Sequence, residues 1–143
     1  MTGTGPLDVE IKQHIETLQL ENENFHLLGA VNDIGPILAG LDILCLPSKM
    51  DGRPFVMMEA MTSGTPLVAS NIGAMASLLE HGHNGWLCEP EDYDAFAETI
   101  LAVVDDDALL ASAKIEAIKT AEAEFDILKN VDAIIDPILA LKN

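Results

Sequence analysis

Residues 47–70 read PSKMDGRPFVMMEAMTSGTPLVAS, and the fold is decided there. Just before this stretch, Ile43-Leu44-Cys45-Leu46 is a continuous apolar run closed by Pro47, the pattern of a strand buried on both faces. Ser48–Pro54 brings together Lys49, Asp51, Gly52 and Arg53, and so reads as a loop dense in functional side chains. Phe55–Thr62 reads as a helix opened by Pro54 and stopped by Gly64. Leu67-Val68-Ala69 is a second buried strand, entered through Pro66. Short buried strands joined by a helical crossover imply a parallel sheet covered by helices on both faces.

The same alternation extends outward. Upstream, Ile11, Ile15 and Leu18 mark one face of a helix. Phe25–Leu28 is a short apolar run ended by Gly29 and reads as a strand. Asp33 is placed to cap a short helix through Leu41, with Pro36 in its first turn. Downstream come a short helix over Ala74–Glu80, a turn at His81–Gly85, where the Asn84-Gly85 step tolerates positive φ, and a brief strand at Trp86-Leu87-Cys88. Helices follow over Asp92–Val104, Asp107–Glu122 and Asp126–Leu141, with the Asp105-Asp106-Asp107 run as a helix end and the next helix's cap. The expected fold class is α/β, a Rossmann-like parallel sheet with a helical C-terminal tail. We read residues 1–143 as a single domain, with the α/β part at about 3–104 and helices over 105–143.

The composition bounds the function. The chain has 143 residues, 49% of them hydrophobic, and a formal net charge of −17. That length and apolar content suffice for a packed core. The negative field repels phosphate, which argues against nucleic-acid and anionic-membrane binding. Any phosphate site must therefore be local, built from backbone N–H groups and a few cations. No apolar run is long enough for an integral membrane segment. Cys45 and Cys88 lie in apolar segments without metal spacing, so buried free thiols and a cytoplasmic location are expected. His81 and His83 lack a third ligand nearby and read as surface residues; no metal site is expected. Met57, Met58, Met61 and Trp86 read as packing, and Lys49 as solvated.

Parallel sheets bind ligands at the C-terminal ends of their strands. The loop after Ile43–Leu46 is thus the first candidate site. Gly52 lets backbone approach a ligand, and Pro54 opens a helix whose first N–H groups, at Phe55, Val56 and Met57, can face an anion. Glu59 can accept two hydrogen bonds from a vicinal diol such as a ribose.

Asp51, Gly52-Arg53-Pro54, the apolar pair Phe55-Val56, Glu59-Ala60-Met61 and Gly64-Thr65-Pro66 occur in an order that resembles the nucleotide-sugar site of retaining GT-B glycosyltransferases, in particular their group 4 class. Phe25-His26-Leu27-Leu28-Gly29, Leu41–Ser48 and Gly82–Leu87 are similar to the flanking motifs, and Gly3-Thr4-Gly5-Pro6 to the end of the family's second strand. The resemblance implies a nucleotide-sugar as substrate and no cofactor. It implies that Glu59 contacts the donor ribose, and that Asp51, standing where the family usually has Glu, contacts the donor sugar near the reacting carbon. It places Gly52, Arg53, Pro54, Phe55 and Val56 around the sugar and distal phosphate, with Arg53 either assisting the leaving diphosphate or facing solvent. Ala30 and Val31 fall near the base-binding turn.

The family's first strand, helix and second strand, its diphosphate-clamping Arg and Lys, and its N-terminal acceptor domain have no counterpart in these residues. The chain is therefore expected to be a C-terminal fragment, inactive alone, that works with the missing acceptor domain or a partner chain. In the sheet order 3-2-1-4-5-6, the absent strands lie between Phe25–Leu28 and Ile43–Leu46. Their loss predicts either pairing of those two runs or self-association through an open sheet edge. The alternative reading is a non-enzymatic truncated module that associates with a partner subunit. A sugar epimerase of the same architecture is disfavoured because its catalytic acids and histidine are not found.

Overall fold

The computed structural model describes residues 1–20, 25–50, 52, 54–127, 130, 131 and 135. It divides into two compact units, residues 1–34 and 35–143.

The first unit holds one helix, α1 (Asp8–Thr17). Asp8 and Glu10 in its first turn oppose the helix dipole, and the Asp8 carboxylate accepts the Gly5 N–H at 2.8 Å. Ile15 is its buried residue. Residues 1–3 run parallel to residues 26–29. The Met1 amino group donates to His26 O, Leu28 N–H to Met1 O, and Gly3 N–H to Gly29 O at 2.7 Å. This is the pairing expected between the end of a second strand and a third. It is an isolated bridge, however, and not the full strand read over Phe25–Leu28.

The second unit contains α2 (Gly35–Ala39), β1 (Leu44–Leu46), α3 (Phe55–Thr62), β2 (Leu67–Ser70), α4 (Gly73–Leu78), β3 (Gly85–Cys88), α5 (Tyr93–Val104) and α6 (Asp107–Glu124). Its sheet has the order β1-β2-β3, all parallel, in register Leu44↔Leu67 and Leu67↔Gly85. This matches strands 4-5-6 of the order 3-2-1-4-5-6. The backbone of Phe25–Leu28 is bonded to residues 1–3 within the first unit. The expectation over Asp126–Leu141 falls mostly outside the described residues, of which 127, 130, 131 and 135 are helical.

The core forms where β2 and β3 meet α5 and α6: Val68, Trp86, Cys88, Phe96, Val103, Leu110 and Ala113 cluster there. All four residues of β2 are buried, as a central parallel strand requires. The buried stripe of α6 is Leu110, Ala113, Ala117 and Ala121, and its small residues let α3 approach closely. From α3, Met57, Ala60 and Met61 are buried, whereas Met58 is half-buried. Gly64 ends α3 at φ 72, and a Cβ there would meet Ile118 Cδ1 at 3.0 Å. Asp105 closes α5, and Asp106 caps α6 by accepting the Leu109 N–H.

Two sequence expectations are corrected. β1 is not buried on both faces: Leu44 and Leu46 are half-buried and Cys45 is exposed. Being apolar does not bury a strand by itself: β2 and β3 lie against α5, whereas among the described residues β1 packs chiefly on β2. The Asn84-Gly85 step is not where the turn uses positive φ. Gly82 takes that role at φ 79, while Asn84 is buried and spends its amide on structure.

Candidate functional site

The C-terminal ends of the three parallel strands open into the loops after Leu46, Ser70 and Cys88. Sequence reasoning placed the site there, and the structure shows how those loops are joined. The Ala74 N–H donates to Gly52 O at 3.2 Å, tying the loop after β1 to the first turn of α4. Asn71 N–H donates to Cys88 O at 2.7 Å, and the Asn71 side chain to Glu89 Oε1 at 3.0 Å. Lys49 Nζ meets Glu91 Oε1 at 2.5 Å. At the end of β2, Ser70 is fully buried, and its Oγ is the one buried side-chain oxygen among the described residues without a hydrogen-bond partner.

Gly52, Pro54, Phe55, Val56 and Glu59 lie on one continuous loop and helix. Gly52 is exposed. Pro54 is the N-cap of α3, with φ −67 and ψ 125, and offers no capping side chain. The first turn of α3 contains no acidic residue. By position, the N–H groups of Phe55 and Val56 have no acceptor within the helix. Met57 differs from expectation, because its N–H already donates to Pro54 O at 3.1 Å. Phe55 and Glu59 are four residues apart on α3 and both exposed, so they share one face. The opposite face carries Met57, Ala60 and Met61 into the core, and this burial fixes which side faces outward.

Asp51 and Arg53 lie outside the described residues. Ala30, exposed, and Val31, half-buried, belong to the first unit, just beyond its short parallel pairing.

Lys49 was read as solvated. It is exposed, yet it is also ion-paired, and the Glu91 hydrogen bond and charge hold its ammonium pKa above the ordinary lysine value. Sequence reasoning missed Glu91, Glu89 and Asn71, which lie beyond the next two strands. The histidines His81 and His83 are exposed. The Leu87 N–H donates to His81 Nδ1 at 3.1 Å, and His83 Nε2 lies 3.4 Å from Glu116. No cluster of three metal-ligating side chains occurs among the described residues. None of their helices is long and apolar enough to cross a membrane.

A parallel sheet with flanking helices defines a Rossmann-like domain, a fold in which ligands bind at the C-terminal strand ends. The chain belongs to the family of glycosyl transferases group 1, whose model matches residues 1–106. It is 34% identical over 136 residues to the Escherichia coli UDP-Gal:alpha-D-GlcNAc-diphosphoundecaprenol alpha-1,3-galactosyltransferase, spanning 95% of this chain and 35% of that protein. It is 36% identical over 91 residues to the Mycobacterium leprae phosphatidyl-myo-inositol mannosyltransferase, covering 61% of this chain and 24% of that one. Among solved structures, Anabaena HepE in complex with UDP superimposes with a TM-score of 0.90 at 28% identity, over 97% of this chain and 40% of that one. HepE in complex with UDP-glucose gives 0.87 at 30% identity. The architecture is thus that of the Rossmann-like domain of GT-B glycosyltransferases, and the chain spans about a third of the length of its relatives.

Proposed function

We propose that this chain is the donor-binding half of a retaining glycosyltransferase that moves a sugar from a nucleoside diphosphate to an acceptor hydroxyl. The C1–O bond to the diphosphate breaks, a C1–O bond to the acceptor forms, and the acceptor's proton leaves. The observation that carries the reading is the exposed face of α3: an uncapped first turn, with Glu59 presented outward beside it. An uncapped N-terminus stabilises an anion through its N–H groups and dipole. With a net charge of −17, a diphosphate has to be met by such local groups. In this reading the Glu59 carboxylate accepts from the two ribose hydroxyls. The Gly52–Val56 backbone cradles the sugar and distal phosphate, Asp51 contacts the donor sugar and Arg53 supports the leaving diphosphate. Ala30 and Val31 form part of the base-binding turn.

The reaction needs no metal or organic cofactor in this scheme, because helix N–H groups and cations neutralise the leaving group. The acceptor is held by a further domain or a partner chain, and residues 1–143 alone are inactive. We place the reaction in the cytoplasm, where activated sugar nucleotides serve as donors.

The test is calorimetry of residues 1–143 with UDP and UDP-glucose, the ligands of the HepE structures. A hydrogen bond to a charged group contributes about 1.5–3 kcal/mol. Glu59→Ala removes two of them, so affinity falls at least about a hundredfold. Wild-type binding with unchanged affinity in Glu59→Ala would refute the assignment of Glu59. No binding at millimolar ligand would favour the non-enzymatic module.

A further inference from the structure

We propose that Lys49 and Glu91 form a latch that holds the loop between β1 and α3 in place, making both of them positioning residues for the strand-end site. Its purpose rests on the donor-site reading above; its mechanics rest on the structure alone. Lys49 lies three residues beyond the end of β1, and Glu91 three residues beyond the end of β3. These are the two outer strands of the sheet, with β2 between them. Adjacent strands are spaced about 4.8 Å apart, so the pair spans roughly 10 Å of sheet. It ties the outer strands together across the end of β2, where Ser70 Oγ is buried without a partner. The long lysine stem makes that reach possible.

The backbone of Glu91 gives independent support. Glu91 sits at φ 66, in the left-handed region that glycine enters freely and a side-chain-bearing residue seldom does. A glutamate is held there, and its carboxylate meets the ammonium of Lys49. Among the described residues of the loop, Gly52 is also tethered, its O accepting the Ala74 N–H at 3.2 Å. Pro54 then opens α3. The latch and this bond hold the loop at Lys49 and at Gly52. The Glu91 hydrogen bond and charge raise the ammonium pKa above the ordinary lysine value.

Both side chains are more than half exposed, 66% for Lys49 and 60% for Glu91, so the pair is screened by salt. Exposed pairs of this kind shift an equilibrium by about two- to fivefold. That is too little to hold the fold together and enough to bias a loop.

The Ala74 amide reports loop position without ligand, because its acceptor is Gly52 O. Native-state hydrogen exchange of Ala74 is expected to quicken about two- to fivefold in Lys49→Met and in Glu91→Gln, and no further in the double variant. The charge swap Lys49→Glu with Glu91→Lys restores slow exchange, Lys49→Arg retains it, and high salt quickens exchange only where the ion pair is present. Glu91→Gly separates latch from fold. It loses the carboxylate but suits the backbone, so Ala74 exchange quickens while the melting temperature stays near the wild-type value. In calorimetry, UDP affinity falls by the same factor in each single variant. Unchanged Ala74 exchange in all of these variants overturns the latch. So does a Lys49→Met loss of UDP affinity that persists undiminished in the Glu91→Gln background, since Lys49 would then be touching the ligand itself. Failure of the wild type to bind UDP overturns the donor-site reading alone, and the exchange data still decide the latch.

Discussion

Asn84→Ala separates architecture from ligand contact in the second unit. Asn84 is 3% exposed and makes three hydrogen bonds. Its Oδ1 accepts the Glu80 N–H at 2.8 Å, and its Nδ2 donates to Leu78 O at 3.1 Å and to Thr120 Oγ1 at 2.9 Å. The amide thus pins the end of α4 and the turn before β3 to α6. Each bond contributes about 1 kcal/mol net, and a partner left buried without water costs more. Glu80 is exposed and regains water; Leu78 and Thr120 are half-buried and regain less. The expected loss is about 2–4 kcal/mol. At about 2–4 °C per kcal/mol for a chain of this size, the melting temperature falls by roughly 4–16 °C. Differential scanning calorimetry measures the shift. UDP affinity, measured well below the melting point, stays at the wild-type value, because the side chain is consumed by the fold. A shift under about 1 kcal/mol would mean that the three bonds are replaced at no cost. Lost UDP affinity in a folded Asn84→Ala would place this turn at the ligand and refute the architectural role.

Two further outcomes follow from the same geometry. Gly64→Ala puts a side chain at φ 72 and a Cβ 3.0 Å from Ile118 Cδ1, so denaturant melts should show a loss of about 1–2 kcal/mol; an unchanged midpoint would show that the α3–α6 contact yields freely. Cys45 is exposed and Cys88 buried, so a thiol reagent labels Cys45 in the native chain and Cys88 only on unfolding. Although the residue as a whole is exposed, partial desolvation at its thiol, then the neighbouring Cys88, push the Cys45 pKa up, so its labelling accelerates only above the ordinary cysteine range; a half-maximal rate at or below that range would contradict the desolvation. The sign for stability is the same: the raised pKa favours the fold fully below the unfolded thiol's pKa, and that contribution is lost as pH rises through the folded one.

Much of the fold was legible because it is written in local patterns. Apolar runs without alternation mark strands of a parallel sheet, and those at Leu44–Leu46, Leu67–Ser70 and Gly85–Cys88 became the sheet. Proline and glycine set the boundaries, Pro54 before α3 and Gly64 after it, because one fixes φ and the other frees it. The aspartates at 92 and 106 cap α5 and α6 for an equally local reason. The resemblance carried by residues 47–70 marked the loop and helix where Gly52, Pro54 and Glu59 stand.

Other features depend on which elements become neighbours, and no window of sequence contains that. Cys45 and Val68 sit in similar apolar runs, yet one is exposed and the other fully buried. The difference is that β2 lies between two strands and is covered by α3, α4 and α5, whereas among the described residues β1 packs chiefly on β2. Phe25–Leu28 has the composition of a strand, but its backbone bonds go to residues 1–3 and form only a bridge. Asn84 reads as a turn residue until Leu78, Glu80 and Thr120 close around it. Lys49 and Glu91 are 42 positions apart and become partners only because the sheet order brings the exits of β1 and β3 to the same end. From its residues alone this chain determines where backbone can be helix, strand or turn, since those choices rest on side-chain shape and backbone freedom within a few positions. Edge or centre, buried or exposed, and paired or free were decided by the tertiary structure, since burial and charge pairing depend on distances that only the packed chain sets.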